Sequence, residues 1–458
     1  MPKENIILLS DSYKTSHAVQ YPEGTEKVFS YFESRGGRFT RVTFFGLQML
    51  LARLEGAVIT KEMIDYAESM IDAHMGKGIF NRKGWEYIVE KHGGKLPLEI
   101  KAVPEGLTIP VSNVLMTVEN TDPECFWLTN YMETYLSQVW YPCTVATLSR
   151  EIKKVLKKNL EKTGDVAGLP FKLHDFGFRG VSSTESAGVG GCAHLVNFMG
   201  TDTMIALEYA RRYYNADMAG FSVPASEHST MTSWGRDHEV DAMRNMLEKY
   251  PTGIVSVVSD SYDIYEACEK LWGTELREQI LNREGTLVIR PDSGSPVEVI
   301  MKILPILGKK FGTTLTSNGY KVLNPKVRII QGDGVDYDAI DKILDTMEYY
   351  KWSGDNIVFG MGGGLLQKLN RDTQKFAFKC SAVRVRGEWR DVYKQPVDCG
   401  FKMSKFGRLI LARHQGDWYQ THKSDDVNIP KNILQTVFLN GDIVKKYTFE
   451  EVRENAKV

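Results

Sequence analysis

The chain has 458 residues, 42% of them hydrophobic and 25% charged, which is typical of a globular protein with two domains or one elaborated domain. Its 57 Lys and Arg residues balance 58 Asp and Glu residues, so a net charge of −1 provides no general attraction for nucleic acid or an anionic membrane. Any anionic ligand must therefore be held by a local cluster of cations.

The cysteines and the N-terminus both indicate an intracellular protein. The apolar run Ile6–Leu9 is too short for a signal peptide, and no run approaches the ~18 apolar residues that a spanning helix needs. The cysteines lie far apart and form neither a C-x-x-C pair nor a zinc spacing, which favours reduced thiols. They are Cys125, Cys143, Cys192, Cys268, Cys380 and Cys399. We therefore expect a soluble, cytoplasmic protein.

The first part of the chain mixes helices with short strands. Apolar residues recur at helical spacing over Lys61–Met75, which predicts a helix. Over Leu98–Val118, strand-like pieces alternate with proline and glycine, a pattern typical of short β-strands. The pattern of Leu148–Leu160 predicts an amphipathic helix, whose lysines indicate a solvated basic face rather than a binding patch.

From Phe171 onward, strands alternate with helices. Four apolar runs each stop at a polar residue or a glycine cluster, namely Ile254–Asp260, Thr286–Gly294, Val327–Gly334 and Asn356–Gly364. A helical pattern follows each run, at Tyr262–Trp272, Pro296–Leu307, Tyr337–Tyr350 and Leu365–Arg371. Successive strand–helix units predict parallel strands with crossover helices, arranged as an α/β barrel with its site at one rim.

After Cys380 the chain returns to short strands, predicted at Ser381–Val385, Arg408–Ala412 and Gln435–Leu439. The predicted fold class is therefore α/β, with a βα barrel-like catalytic domain and a second, β-rich domain built from N- and C-terminal parts. We assign residues 1–30 and 125–380 to the barrel-like domain. Residues 31–124 and 381–458 are assigned to the β-rich α+β domain.

Three carboxylates end the predicted strands, on Asp260, Asp292 and Asp333. Because the carboxyl ends of parallel strands face one rim, we expect these side chains to converge, where they can hold Mg²⁺ or the hydroxyl groups of a sugar. The alternative interpretation of any single one is a helix N-cap or a turn residue. Three acids in register favour the site.

Glycines and cations complete a pattern that suits a phosphorylated sugar. The cluster Gly360–Gly364 precedes a predicted helix, where backbone N–H groups can approach a phosphate, although its spacing is also compatible with a simple turn. Arg179 and Arg290 are at strand ends, where each can grip a pyrophosphate or form a salt bridge with a neighbouring Asp. His228 lies between the two series of predicted strands, and it stands out only because the ends of these strands carry Asp, Arg and Gly.

Several blocks occur in the order found in a known family, over nearly the whole chain. They are Asp11-Ser-Tyr13-Lys-Thr-Ser-His17, Tyr31-Phe-Glu-Ser-Arg35, His174-Asp-Phe176-Gly-Phe-Arg179-Gly, Gly200-Thr-Asp202-Thr, Val223-Pro-Ala-Ser-Glu-His228-Ser, Ser259-Asp260-Ser-Tyr-Asp, Ile289-Arg290-Pro-Asp292-Ser-Gly, Gln331-Gly332-Asp333-Gly and Gly362-Gly-Gly-Leu-Leu-Gln-Lys-Leu-Asn-Arg371-Asp. With these blocks the chain resembles the nicotinamide phosphoribosyltransferases.

This resemblance implies a type II phosphoribosyltransferase fold and the synthesis of nicotinamide mononucleotide and pyrophosphate from nicotinamide and phosphoribosyl pyrophosphate, with Mg²⁺, in NAD salvage. It also implies a homodimer with two active sites shared between subunits. In the family the active-site histidine can be phosphorylated by ATP, which makes ATP an expected co-substrate and His228 the residue at the matching position.

The resemblance also implies roles for single residues. Phe176 and the partner subunit's Tyr13 would sandwich the pyridine ring, and Asp202 would accept hydrogen bonds from the carboxamide. The catalytic residues would be His228, Asp292 and Arg290.

Further binding residues follow from the same resemblance. The pyrophosphate would contact Arg179, His228 and Arg290. The ribose would contact Asp292, Gly332 and Asp333, and the 5′-phosphate would contact Gly362 and Gly363. Other expected substrate-binding residues are Ser222, Ala225, Ser256 and Asp260. Residues that resemble the cations of the family's phosphate entrance are Arg35, Arg371, Lys379 and Lys394.

The expected chemistry needs no general base, because the pyridine nitrogen is already a nucleophile. Mg²⁺, carried mainly by the pyrophosphate, and the arginines would stabilise the leaving group, and Asp292 would stabilise a cationic sugar. Asp202 favours nicotinamide, since it would repel the negative charge of nicotinate.

Three alternatives remain open at this point. The nearest is a nicotinate phosphoribosyltransferase, which a neutral or cationic residue at position 202 would have favoured. A catalytically idle binding or signalling protein is disfavoured by the presence of His228, Arg290 and Asp292. An unrelated barrel enzyme acting on sugar phosphates would explain the strand-end acids but not Phe176 together with Asp202.

Overall fold

The computed structural model describes residues 4–394, 404–416, 418–427 and 429–458, so Cys399 lies outside the described residues. The chain divides into two compact units. The first unit contains Met1–Thr147, Tyr213–Asn215 and Asn370–Lys457, and the second contains Leu148–Arg212, Ala216–Leu369 and Val458. In this division residues 1–30, 125–147, 213–215 and 370–380, which were assigned above to the barrel-like domain, group with the β-rich part. The domain boundaries given above stay a prediction. Every helix in the described part of the chain is too short or too polar to span a bilayer.

The secondary structure is as follows. The strands are β1 (Thr25–Ser34), β2 (Arg41–Thr43), β3 (Leu98–Ala102), β4 (Thr108–Pro110), β5 (Val114–Asn120), β6 (Leu173–Asp175), β7 (Gly200–Thr201), β8 (Thr252–Val258), β9 (Glu284–Arg290), β10 (Thr313–Leu315), β11 (Lys321–Leu323), β12 (Val327–Gln331), β13 (Ile357–Met361), β14 (Phe376–Val385), β15 (Glu388–Asp391), β16 (Leu409–Arg413), β17 (Tyr419–Lys423), β18 (Gln435–Leu439) and β19 (Asp442–Ile443). The α-helices are α1 (Leu47–Leu51), α2 (Lys61–Met75), α3 (Arg82–His92), α4 (Leu128–Tyr131), α5 (Glu133–Ser137), α6 (Trp140–Thr163), α7 (Thr184–His194), α8 (Met204–Tyr214), α9 (His228–Thr232), α10 (Glu239–Lys249), α11 (Ile264–Glu266), α12 (Arg277–Asn282), α13 (Pro296–Phe311), α14 (Tyr337–Tyr349), α15 (Gly363–Leu366) and α16 (Phe449–Asn455). A π-helical stretch continues α11 over Ala267–Glu275. Short 3₁₀ turns lie at Ile6–Leu8, Ser12–Val19, Pro123–Cys125, Val166–Phe171, Phe178–Gly180, Arg236–His238, Gly354–Asn356 and Arg371–Thr373.

The first unit is built on an antiparallel sheet with the strand order β15-β14-β1-β5-β3-β18-β19, whose strands come from both ends of the chain. Strand β1 lies inside the sheet, with β14 and β5 paired antiparallel to it, and is buried along most of its length. Since β1, β3 and β5 come from the N-terminal part and the others from the C-terminal part, the prediction of a β-rich region made from both ends of the chain is confirmed.

The second unit contains a parallel sheet with the order β7-β6-β13-β12-β9-β8. Its two edges are linked by a single extended segment, because Phe221 bridges to Gly200 of β7 and Ala225 bridges to Ser256 of β8, both in the parallel sense. The segment 221–225 therefore closes the sheet into a barrel. Buried strands of this kind are apolar on both faces, which accounts for the continuous Val, Ile and Leu runs.

The predicted elements are largely confirmed. Helix α2 has the predicted bounds, α13 begins with the predicted proline, and α14 is capped by the side chain of Asp336. The helix predicted at Leu148–Leu160 is part of the longer α6.

The helix predicted at Leu365–Arg371 is wrong, since α15 ends at Leu366. The backbone leaves helical geometry at Gln367, where φ is −126°. Further along, the side chain of Asn370 accepts hydrogen bonds from the N–H groups of Asp372 and Thr373, which starts a separate 3₁₀ turn.

Candidate active site

The second unit gathers most of the predicted site residues at one rim of its barrel. They follow the carboxyl ends of successive strands, where parallel α/β barrels place their sites. In chain order they are Phe176 and Arg179 after β6, Asp202 after β7, Ser222 and His228 on or after the closing segment, Asp260 after β8, Arg290 and Asp292 at the end of β9, Gly332 and Asp333 after β12, and Gly362 and Gly363 after β13.

His228 is joined to two of the strand-end acids. Its Nε2 lies 3.0 Å from Oδ1 of Asp260, and its Nδ1 lies 3.9 Å from Oδ2 of Asp292. The other oxygen of Asp260 accepts hydrogen bonds from the N–H of Asp292, at 3.0 Å, and from the hydroxyl of Ser293. The side chain of Asp260 is almost fully buried at 4% exposure, whereas that of His228 is 45% exposed. The imidazole of His228 is therefore accessible to solvent, while the buried carboxylate of Asp260 holds it in place.

Arg290 has both a partner and an unmet hydrogen-bond donor. Its Nη2 lies 3.3 Å from Oδ2 of Asp292, which is the salt bridge that the sequence left as an alternative. Its Nε is buried and, among the described residues, has no hydrogen-bond acceptor. Because a buried N–H without a partner is costly, this donor suits a bound anion. The short connection between Arg290 and Asp292 thus places a cation and an acid side by side.

Phe176 is placed over glycines of the neighbouring strands. A Cβ atom at Gly360 of β13 would lie 2.0 Å from Cε2 of Phe176, and one at Gly332 would lie 3.3 Å from it. The N–H of Phe176 donates to the carbonyl of Met361 at 3.0 Å. The ring can occupy this position only because position 360 carries no side chain, a contact that the sequence did not reveal.

Asp202 lies at the next strand end and is exposed. Its Oδ1 accepts a hydrogen bond from the hydroxyl of Ser222, and its N–H donates to the carbonyl of Asp175 at 3.0 Å. The ring of His174 lies close to Gly200, the residue of β7 that pairs with His174. Burial lowers the pKa of His174, while the charge of Asp202 opposes that shift.

Two predicted binding residues form part of the barrel wall. Ala225 bridges to Ser256, and the N–H of Ser226 donates to the Ser256 carbonyl at 3.0 Å. The hydroxyl of Ser226 also accepts from the N–H of Val258 at 2.9 Å. These bonds hold the closing segment, and with it His228, against β8. Any contact of Ala225 or Ser256 with substrate stays a prediction.

Asp333 is separate from the other two acids. Its carbonyl accepts a hydrogen bond from Nε2 of Gln331 at 2.8 Å, and its carboxylate is exposed, without a hydrogen bond or ion pair to any described residue. The convergence predicted for three acids is thus seen as a direct network only for Asp260 and Asp292.

The glycine-rich end of β13 is open. A Cβ atom at Gly363 would meet no atom within 4 Å, and one at Gly180, beside Arg179, would lie 3.4 Å from Cα of Gly363. Arg179 itself is exposed, on the 3₁₀ turn Phe178–Gly180. The backbone of Gly362 and Gly363 is therefore accessible close to the turn that carries a cation.

The remaining predicted residues belong to the first unit. Tyr13 is 55% exposed, and Arg371 lies on an exposed turn, where it pairs with Asp372 at 3.3 Å. Arg35 donates through Nε to Oε1 of Glu33 at 2.8 Å.

Lys379 lies on β14 opposite Tyr31 of β1. Burial lowers the pKa of Lys379; Glu133 opposes this shift, and the charges of Arg35, Lys394 and Lys14 add to it. The charges of Arg35 and Lys394 thus act on Lys379, which groups three of the predicted cations in the first unit.

The rim does not form a closed metal site. Within the described residues, the group of three or more His, Cys, Asp or Glu ligand atoms that lie close enough to one another to share one ion is that of His92, Asp122 and Cys125, which belongs to the first unit. Asp260 already accepts from three donors, and Asp292 is paired with Arg290. Acids of this kind fit a Mg²⁺ ion that arrives on a phosphate-bearing ligand, because hard carboxylate oxygens complete a shell that phosphate and water begin.

Two residues beside Phe176 were quoted in the sequence blocks without a role. His174 and Asp175 follow Leu173 on the short strand β6 and directly precede Phe176. Two polar residues within a strand of a parallel sheet, where apolar residues are usual, are the signal that could have singled them out. Ser293, which supports Asp260, could have been found from its position beside Asp292.

Residues 171–442 match the model of the nicotinate phosphoribosyltransferase (NAPRTase) family, and residues 5–100 match the model of the nicotinamide phosphoribosyltransferase N-terminal domain. The chain is 51% identical over 466 residues to nicotinamide phosphoribosyltransferase from Xanthomonas campestris pv. campestris, with 99% of this chain and 98% of the relative covered. It is 36% identical over 485 residues to nicotinamide phosphoribosyltransferase from Acinetobacter baylyi, covering 97% and 95%. The crystal structure of nicotinate-nucleotide pyrophosphorylase from Pyrococcus furiosus shares the fold, with a TM-score of 0.63 at 16% identity over 99% of this chain and 94% of that one.

Proposed function

The chain belongs to the nicotinamide phosphoribosyltransferase family, and we infer that its barrel rim makes nicotinamide mononucleotide and pyrophosphate from nicotinamide and phosphoribosyl pyrophosphate, in NAD salvage. The observation in this molecule that carries the inference is the placement of Phe176 and Asp202 on the neighbouring strand ends of β6 and β7. One offers an aromatic face and the other a carboxylate, which are the two groups that a neutral pyridine amide needs.

Phe176 and Asp202 select the acceptor. The Phe176 ring stacks on the pyridine, and Asp202 accepts hydrogen bonds from the carboxamide NH₂. The hydroxyl of Ser222 holds the Asp202 carboxylate in place for this contact. Nicotinate would bring a second carboxylate to the same point, where like-charge repulsion disfavours it.

The leaving pyrophosphate is held by cations at the same rim. Arg290 contributes its unpaired Nε–H, and the exposed side chains of Arg179 and His228 are available to the same anion. Bound Mg²⁺ supplies neutralisation of the negative charge that develops on the pyrophosphate. Asp260 and Asp292 are the carboxylates that would hold this ion together with the phosphate oxygens.

The ribose binds between the pyridine and the pyrophosphate, and its 5′-phosphate binds at the end of β13. Asp292 stabilises the positive charge that develops on the sugar as the bond to pyrophosphate weakens, while the exposed Asp333 accepts from sugar hydroxyls. Gly362 and Gly363 offer N–H groups to the 5′-phosphate, since nothing covers the face of Gly363. The pyridine nitrogen needs no base, because its lone pair is free.

ATP coupling is proposed through His228. With its Nε2–H donated to the buried Asp260, the lone pair of Nδ1 is available to attack the γ-phosphorus of ATP. The N–P bond forms as the bond to the β-phosphate oxygen breaks, and ADP leaves with that oxygen. A phosphorylated His228 adds negative charge and oxygens at the pyrophosphate site, and its later hydrolysis by water returns the imidazole.

We further propose that the protein is cytoplasmic and works as a homodimer in which the partner subunit's Tyr13 covers the second face of the pyridine. The 55% exposure of Tyr13 in one subunit supports this arrangement, because an exposed aromatic ring is suited to an interface.

A product assay tests the proposed function. Phosphoribosyl pyrophosphate and Mg²⁺ are supplied with nicotinamide or nicotinate in parallel, with and without ATP. Mononucleotide is expected from nicotinamide, with a higher yield when ATP is present. Product from nicotinate alone would overturn the assignment of Asp202, and stimulation by ATP in the absence of a phosphorylated protein would overturn the role of His228.

A further inference from the structure

Asp175 is a buried carboxylate directly below the proposed pyridine site. It is the last residue of β6, precedes Phe176, and is 0% exposed. No cation among the described residues pairs with it. Burial raises the pKa of Asp175 to about 6, a shift that the N–H of Gly177 and the hydroxyl of Thr203 oppose and the charge of Asp202 increases. An acid in this position costs stability, which calls for a function that offsets the cost.

The carboxylate shapes the turn that carries Phe176. Its Oδ1 accepts a hydrogen bond from the N–H of Gly177 at 2.7 Å, the bond from residue i+2 that defines an Asx turn. The N–H of Phe176 is meanwhile bound to Met361 of β13. The backbone of Phe176 is thereby fixed by its own N–H and by the turn that spans it, while its ring packs against Gly360 and Gly332.

The same residue is connected to Asp202. The carbonyl of Asp175 accepts a hydrogen bond from the N–H of Asp202 at 3.0 Å. Asp175 is therefore linked to both proposed pyridine contacts: it precedes Phe176 in the chain, and it is hydrogen-bonded to the backbone of Asp202. Oδ2 of Asp175 makes no hydrogen bond of standard geometry to the described residues and lies where a Cβ atom at Gly191 would approach within 3.0 Å. Gly191 on α7 thus leaves room for a carboxylate of which only one oxygen accepts a hydrogen bond. A buried polar atom without a hydrogen bond needs an explanation, and a role in positioning a site provides one.

We propose that Asp175 is the positioning residue of the pyridine site: its carboxylate sets the turn that holds the Phe176 ring at a fixed spacing from the Asp202 carboxylate. This inference rests on the proposed function, since it concerns the binding of nicotinamide. Ring and carboxamide are recognised together only while that spacing is kept. Most of the residues proposed to bind phosphoribosyl pyrophosphate follow β8, β9, β12 and β13 and are not part of this turn, whereas Arg179 lies on the 3₁₀ turn directly after Gly177.

The test compares Asp175→Ala with Asp175→Asn and the wild type. We expect Asp175→Ala to raise the KM for nicotinamide about tenfold or more, with a smaller rise of about threefold at most in the KM for phosphoribosyl pyrophosphate, because among its proposed contacts Arg179 alone follows this turn directly. Asp175→Asn keeps an oxygen that can accept from Gly177 and should restore the nicotinamide KM to within about threefold of the wild-type value. Asp175→Val, which fills the space and suits a strand but accepts no hydrogen bond, replaces the alanine variant if that variant does not fold.

Asp355→Ala is the matched control. Asp355 also orders a turn of the second unit, accepting from the N–H of Asp165 at 3.2 Å, but it precedes β13 at the opposite end of the barrel. It should lower thermal stability without changing the nicotinamide KM. An unchanged nicotinamide KM in Asp175→Ala, or equal changes in both KM values, would overturn the positioning role. A wild-type protein without turnover on nicotinamide would overturn the proposed function, and this inference with it.

Discussion

Nε2 of His228 lies 3.0 Å from Oδ1 of Asp260, so that a half-exposed imidazole is held by an almost fully buried acid. Asp260 is in turn fixed by the N–H of Asp292 and the hydroxyl of Ser293. The residue proposed to accept a phosphoryl group and the residue proposed to stabilise the sugar cation therefore share one support. Substitution of Asp260 should therefore affect both phosphorylation of His228 and transfer of the phosphoribosyl group.

Replacing Asp260 with Asn should weaken the ATP-dependent part of the reaction most. An amide has one acceptor oxygen, and while that oxygen serves the N–H of Asp292 and the hydroxyl of Ser293, the NH₂ group faces Nε2 of His228 and cannot accept its proton. Loss of a hydrogen bond to a charged group costs about 1.5–3 kcal/mol. We expect incorporation of labelled γ-phosphate from ATP into the protein to fall about tenfold or more. Asp263→Asn is the control, because Asn can also cap α11, where Asp263 accepts from Tyr265. Full phosphate incorporation in Asp260→Asn would contradict the proposal.

Replacing Asp202 with Asn should relax the preference for the amide over the acid. The substitution removes the like charge that repels nicotinate and provides an NH₂ donor for its carboxylate. The ratio of kcat/KM for nicotinamide to that for nicotinate should fall by about tenfold or more, which corresponds to about 1.4 kcal/mol. If selectivity is unchanged while the protein remains active, Asp202 does not discriminate between the two acceptors.

Replacing Asp292 with Ala should nearly abolish turnover while leaving the protein folded. It removes the negative charge beside the developing sugar cation and frees Arg290 from its partner, and loss of one preorganised stabilising group costs about 10²–10³ in kcat. Turnover and thermal unfolding are measured together. Asp336→Ala, which removes the cap of α14, is the control that should lose stability and keep turnover. A fully active Asp292→Ala variant would remove this residue from the site.

Replacing Gly360 with Ala should displace the Phe176 ring. The new Cβ atom would lie 2.0 Å from Cε2 of the ring, which requires a shift and costs about 1–3 kcal/mol in stability. The KM for nicotinamide should rise about tenfold or more, since the stacking face moves. Gly168→Ala is the matched control, because its Cβ atom would meet only Cε of Lys172 at 3.7 Å. Wild-type nicotinamide kinetics in Gly360→Ala would show that the ring position is not needed for binding.

The buried Asp175 should make stability fall as the pH rises through the weakly acidic range. Its pKa is raised to about 6 in the folded protein from 3.8, so between these values the folded state binds more protons than the unfolded state and loses stability with rising pH. Above pH 6 the full penalty, roughly 3 kcal/mol at most, is present. Asp175→Asn should therefore gain stability relative to wild type at pH 8 but not at pH 4, measured as the difference in Tm. An equal difference at both pH values would contradict the raised pKa.

Some of the site could be predicted from the chain because its residues occur at strand ends. Asp260, Arg290, Asp292 and Gly332 directly follow apolar runs, and parallel strands bring such positions to one rim. The roles given to these residues came from the resemblance of whole blocks, and those roles stay predictions that the experiments above address.

Other contacts depend on residues that are far apart in the sequence. The contact between Phe176 and Gly360 joins positions on β6 and β13, and the bond between Ser222 and Asp202 depends on the closing segment. Nothing in the local pattern around Gly360 distinguishes a glycine needed for ring contact from one needed for a turn.

The sequence by itself determined the order of strands and helices, the α/β class and the family, because hydrophobic periodicity and motif blocks are local properties of the chain. Only the tertiary structure decided that residues 221–225 close the barrel, that Asp333 is separate from the network of Asp260 and Asp292, and that Asp175 is buried beneath Phe176. The physical reason is that strand pairing and burial result from the packing of distant segments, whose partners are not written in the residues beside them.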